Sequence, residues 1–158
     1  MNRRTVPFAA VVLLLLLPSC FNSGRLPEAE PVKIREFTEA DLVPAKMVAE
    51  NFATGFFQAI AENDFAPWEK AMPARNIQKY KENFPKFYKE LYDHFGEFTG
   101  SEYLGELTSG NFKSFLWKMS FTHTEKDKKS VREIVFFVRV HCEENKQPDI
   151  SGFGVKRF

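Results

Sequence analysis

Three histidines, His94, His123 and His141, are the side chains in this chain best suited to proton transfer or metal binding near neutral pH. No two stand four residues apart, and no Cys-x-x-Cys accompanies them, so the local spacing of a zinc site is missing. Across a hairpin, His123 and His141 form either a weak metal or acid–base pair or two ordinary sheet-surface residues; the second reading is preferred. Arg139 interrupts an apolar run beside Phe137 and His141. A charge there is expensive unless paired. It either anchors an anionic ligand at a pocket mouth or pairs with Glu102 or Glu106, and the structural pair is favoured. Cys142 shares its register with Val138 and Val140, where a free thiol behaves as a small hydrophobe. The chain has no glycine-rich phosphate loop and no Gly-x-Ser-x-Gly elbow. No cofactor, metal or catalytic residue is expected.

The residue with the clearest chemistry is Cys20. Arg3 and Arg4 precede an apolar run of about ten residues, Phe8 to Leu17. That length suits a signal-peptide core and falls short of the roughly 20 residues a membrane-spanning helix needs. The run ends in Leu17-Pro18-Ser19-Cys20, which resembles the lipobox of bacterial lipoproteins, with Pro18 departing from the usual small or β-branched residue. The thiol is required because the sulfur takes the diacylglycerol, and each buried lipid CH₂ contributes about 0.8 kcal/mol to anchoring. Phe21 follows where an aspartate would retain an enteric lipoprotein in the inner membrane. Its presence favours the outer membrane in an organism with two.

Cleavage before Cys20 removes two arginines and no acid, leaving 20 basic against 21 acidic residues. This balance gives no electrostatic case for nucleic acid. Segment 75–90 carries Arg75, Lys79, Lys81, Lys86 and Lys89 among aromatics, but Glu82 and Glu90 offset it, and it reads as a solvated helix face. With Cys20 lipidated, only Cys142 remains and no internal disulfide can form. Stability must come from the core, and the 18 phenylalanines must supply much of it.

Three segments follow: a signal peptide over 1–19, a tether over 20–32 rich in Asn, Ser, Gly and Pro, and one domain over 33–158. Within the domain, Val43, Met47, Phe52, Phe56 and Ile60 recur every four or five residues, which predicts a helix over 39–62 with Asp41 as its N-cap and Pro44 in its first turn. A short helix is expected over 66–71. A third, starting after Pro85 or slightly before it, places Phe84, Phe87, Tyr88, Leu91, Tyr92 and Phe95 on one broad face and ends at Gly96. Beyond Gly96 the period becomes two. Strands are expected over 97–107, 112–124, 133–143 and 150–158, with Phe115, Trp117, Met119 and Phe121 on one face of the second and Ile134, Phe136, Val138, Val140 and Cys142 on one face of the third. Helices first and an antiparallel meander last predict an α+β fold.

This order, with a long helix ending Ala59-Ile60-Ala61-Glu62-Asn63-Asp64 and a third ending Phe95-Gly96, resembles the nuclear transport factor two-like superfamily, also called the cystatin-like cone fold. The resemblance covers nearly all of 39–158 and is greatest to its small secreted or lipid-anchored bacterial members. It implies a curved antiparallel sheet wrapped around the first and third helices, leaving a cone-shaped pocket. Similar ketosteroid isomerases use a tyrosine two turns before the helix-ending aspartate and a carboxylate base. Here the first position falls on or near Phe56, and the segment that should hold the base reads Ala74-Arg75-Asn76-Ile77. The isomerase residues do not carry over.

The sequence therefore reads as a lipid-anchored, non-catalytic binding module of the cell envelope. Its expected pocket is lined by Phe52, Phe56, Tyr88, Tyr92, Trp117 and Met119, with Arg139 and His141 as polar groups. Expected partners are the bilayer, through acylated Cys20, and an apolar small ligand or a protein, a second copy of the chain included. The alternatives are a structural subunit that dimerises through its sheet face, and a small isomerase-, dehydratase- or hydrolase-like enzyme of the cone fold using Asp64, His141 or Glu102.

Overall fold

The computed structural model describes residues 38–157. The expected signal segment, Cys20 and the tether lie outside the described residues. Helix α1 runs Glu39–Glu62. Asp41 is thus inside the helix, not its cap, and Pro44 interrupts the hydrogen-bond ladder beyond the first turn. The buried stripe is Ala45, Ala49, Phe52, Ala53, Phe56, Ala59 and Ile60. Val43 and Met47, expected on this stripe, are 60% and 57% exposed. Alanines take their place because a side chain that stops at Cβ lets the N-terminal half of α1 lie close to its neighbours. Asn63 ends the helix in the left-handed region (φ 51°).

Helix α2 is one turn, Ala66–Glu69, shorter than expected. The Asp64 carboxylate accepts the Ala66 N–H at 3.1 Å at its start. Gly55 sets how closely α2 approaches α1: a Cβ there would lie 2.9 Å from the Pro67 carbonyl oxygen and 3.3 Å from Trp68 Cα. A 3₁₀ turn, Ala74–Asn76, leads into helix α3, Ile77–Phe95. Helix α3 begins eight residues before Pro85, earlier than the sequence suggested. Pro85 is exposed, so its ring meets no packed neighbour, and burial of Phe84 and Leu91 holds the helix on both sides of the proline. Gly96 (φ 91°) then turns the chain where any Cβ would collide with the Thr122 carbonyl.

Strands β1 (Glu97–Ser109), β2 (Phe112–Glu125), β3 (Lys128–His141) and β4 (Asp149–Arg157) form an antiparallel meander in sequential order. The tight β2–β3 turn uses Lys126 and Asp127, both at positive φ. The sheet is curved and unclosed, with β1 and β4 as its edges, and the helices pack on one face. The fold is α+β. Alternation places Phe115, Trp117, Met119 and Phe121 of β2 and Ile134, Phe136, Val138 and Val140 of β3 in the core, all buried. The pairs Trp117↔Phe136 and Met119↔Ile134 confirm that register. On the opposite face Lys118 bridges Glu102 (2.7 Å) and Glu133 (3.4 Å), and Lys156 Nζ lies 5.7 Å from the Phe137 ring centroid.

Candidate functional site

A cavity with almost wholly apolar walls lies between the helices and the β4 side of the sheet, with a volume of about 250 Å³. Each element contributes by its own rule. Helical spacing carries Phe56 from α1 inward, where its ring stacks on Phe136 of β3 at 4.4 Å and 6°. The close approach at Gly55 brings Trp68 of α2 edge-on to Phe56 at 4.8 Å. Helix α3 supplies Tyr80, Asn83, Phe84 and Phe87 at spacings of three and four. Strand β4 supplies Phe153 and Val155 from its inward register, with Gly154 backbone between them. Phe153 touches both Trp68 (5.3 Å) and Tyr80 (5.0 Å), linking β4 to the helices.

The gap between α3 and β4 is set at one end by Arg75. Its guanidinium donates to the Asp149 carboxylate at 2.8 Å and to the Ile150 carbonyl at 3.3 Å. Asn83, on the cavity rim, donates to the Lys79 carbonyl at 2.7 Å. No charged side chain is among the residues that line the cavity. One polar atom stands out. Trp68 is 3% exposed, and its indole N–H has no hydrogen-bond acceptor among the described residues.

Of the six side chains expected to line a pocket, Phe56 does so. Phe52 and Met119 are fully buried in the core. Trp117 packs edge-on to Phe57 and against Tyr103, nearer β1. Tyr88 and Tyr92 stack on one another at 6.1 Å along α3, with Tyr92 51% exposed. The other nine lining residues are not among those the sequence predicts for the pocket: Phe84, Phe87 and Phe136 are expected on buried faces, while Trp68, Tyr80, Phe153 and Val155 carry no expected role. Gly55 beside Phe56 was the available signal for Trp68, since a buried helical glycine marks close approach of another element.

Arg139 and His141 lie on the sheet face away from the helices. Arg139 is exposed, with its guanidinium carbon 6.0 Å from the Phe112 ring centroid. Its expected partners are engaged elsewhere: Glu102 with Lys118, and Glu106 with Lys113 at 3.3 Å. His141 pairs in register with Phe112, while His123 pairs with Ser130, so the two histidines are not opposite one another. They sit at opposite ends of the hairpin because its turn, at Lys126 and Asp127, is next to His123. His141 approaches Glu143 at 3.6 Å, and Lys146 beside Glu143 holds that carboxyl below its ordinary pKa. Among the described residues, no group of His, Cys, Asp and Glu could hold a metal ion, and no helix is long and apolar enough to cross a membrane. Cys142 is buried.

A second polar group gathers toward β1. Tyr103 donates to Glu106 at 3.5 Å, and Lys46 of α1 stands 4.9 Å from the Tyr103 ring centroid. Burial first, then the Glu106 charge, raises the Tyr103 pKa above 10.0. None of these residues lines the aromatic cavity. The cavity can hold an apolar body by dispersion and exclusion of water; Tyr80 is its one lining residue with a titratable side chain, and the carboxylates and histidines lie outside it. No family model, curated protein or solved structure matches this chain, so the reading of its site rests on this geometry.

Proposed function

We propose that this protein is a non-catalytic binding lipoprotein of the cell envelope, anchored by lipid on Cys20 and taking a small apolar or amphipathic molecule into its aromatic cavity. The observation that carries the reading is the cavity wall: rings from three helices and two strands surround about 250 Å³ with no carboxylate, histidine or ammonium group among them, and Tyr80 as the one titratable residue. Ligand pockets are largely apolar with few polar fixtures, and this one follows that pattern. Catalysis by charge stabilisation needs donors or charges aimed at the reacting atoms. The side chains that an enzyme reading would call on, Asp64, His141 and Glu102, do not line the cavity.

Two measurements test the two halves of the proposal. In calorimetric titration, the full chain should bind the bicyclic hydrocarbon tetralin, and Val155→Phe should weaken that binding at least tenfold by filling the mouth. Failure to bind, or binding indifferent to the substitution, rejects the pocket. For the anchor, Cys20→Ser should abolish incorporation of labelled fatty acid and leave the chain soluble or unprocessed. Unchanged lipid labelling in that variant rejects the lipoprotein assignment.

A further inference from the structure

The aromatic cavity does not end at Val155. That residue and Phe87 also line a second hollow of about 260 Å³, whose further wall includes Leu91, His94, Phe95 and Arg157. Two contacts mark the run of this trough between α3 and β4. Tyr80 meets Phe153 at 5.0 Å between centroids, and the Phe95 ring centroid lies 5.3 Å from the Arg157 guanidinium carbon. Strand periodicity puts Phe153, Val155 and Arg157 on one face of β4, so the strand leads from rings to a cation.

The charges at the second hollow are unequal. Glu90, the one carboxylate of its lining, is exposed and lies 3.9 Å from Lys86 on the same helix. His94 Nδ1 donates to the Glu90 carbonyl at 2.8 Å, and Arg132 donates to the His94 carbonyl. Lys156 sends its ammonium toward the Phe137 ring on the other sheet face. Arg157 is exposed, and no carboxylate among the described residues pairs with it.

We infer that the ligand is a single hydrocarbon chain with an anionic head, its chain in the aromatic cavity and its head on Arg157. This rests on the cavity being a binding site and adds the chemical class of what it takes. The head stays out of the cavity, because a charge among rings would lose its hydration without compensation. At Arg157 a carboxylate or phosphate keeps water on one side and meets planar, paired donors on the other. Chain length follows from volume: an apolar cavity of about 150 Å³ accepts a benzene ring, so about 250 Å³ accepts about ten carbons.

The test titrates decanol, decanoate, decyl phosphate and decyltrimethylammonium into the full chain at low salt. At least one anion should bind more tightly than decanol, and the cation most weakly. The tighter of the two anions names the source, a free fatty acid or a phosphorylated lipid. The ratio of its affinity to that of decanol cancels the shared burial of the chain. Arg157→Gln should cut this ratio about fivefold, the upper range for an ion pair that stays in contact with water, while Lys156→Gln leaves it unchanged. Both positions are exposed, so neither substitution threatens the fold. Added salt should narrow the ratio and leave decanol binding as it was. Equal binding of anion and alcohol, or an anion preference that survives Arg157→Gln, overturns the inference and leaves the cavity standing as an apolar site. Tighter binding of the cation overturns it too, as does binding of tetralin without any decyl probe. Failure of every probe, tetralin included, overturns the pocket itself.

Discussion

The two halves of the core use the same residue type to opposite effect. On the β1 side, Phe57, Phe95, Phe98, Trp117 and Phe121 interlock at centroid distances of 5.6–6.2 Å. Fully buried Met119 and Ile134 lie with them on the inner sheet face. On the β4 side, Phe56, Trp68, Tyr80, Phe84 and Phe153 also meet ring to ring, yet enclose a cavity. The difference lies in what covers the rings. Near β1, itself an edge strand, the covering strand carries the ring of Phe98 inward, and Met119 is fully buried on the same sheet face. Near β4 the cover is an edge strand with Gly152 and Gly154, a one-turn helix and the rim of α3. At Gly154 the wall of that cover is backbone alone, with no side chain to fill space, and a cavity remains between the rings.

The largest test of this contrast is truncation at its boundary. Phe136 touches both halves, stacking on Phe56 and packing against Phe57 and Trp117. Phe136→Ala and Trp117→Ala should each lower unfolding free energy by about 3–5 kcal/mol in denaturant titrations. Losses below about 1 kcal/mol at both would mean the strand faces are inverted. A second test adds volume on each side. Met119 has no exposed surface, so Met119→Phe should cost about 1–3 kcal/mol by overpacking. Val155, 38% exposed at the cavity, should accept phenylalanine with a change under about 0.5 kcal/mol, as open positions do. Equal costs at the two sites would erase the distinction between filled and open halves.

The smallest expected effect concerns pH. Burial and Glu106 raise the folded-state pKa of Tyr103 above 10.0, its unfolded value. The folded state therefore holds the phenol proton where the unfolded chain has begun to lose it. The associated stability is complete below pH 10.0 and is lost as pH rises through the folded value. Tyr103→Phe should flatten the alkaline decline in melting temperature and leave the neutral and acid range unchanged. An identical alkaline slope in the variant would show that the Tyr103–Glu106 contact has no thermodynamic weight.

The sequence by itself determined the elements and the faces of the central strands. Alternation over 112–124 and 133–143 admits one assignment, because a shift of one residue would carry every apolar side chain to the other face. Asn63 and Gly96 marked helix ends through backbone conformations that few residues adopt. The outer turns of α1 were misjudged, since spacing favoured Val43 and Met47 while close packing chose Ala45 and Ala49. Only the tertiary structure decided which rings fill and which surround. Helical spacing puts Phe84, Phe87, Tyr88 and Tyr92 on one broad face, but the path of β4 beside α3 selects Phe84 and Phe87 for the cavity. Trp68 lies in a single helical turn, too short for any period to show its direction. Periodicity reports which face of an element is buried. The space left between faces depends on how several elements lie together, which no local pattern encodes.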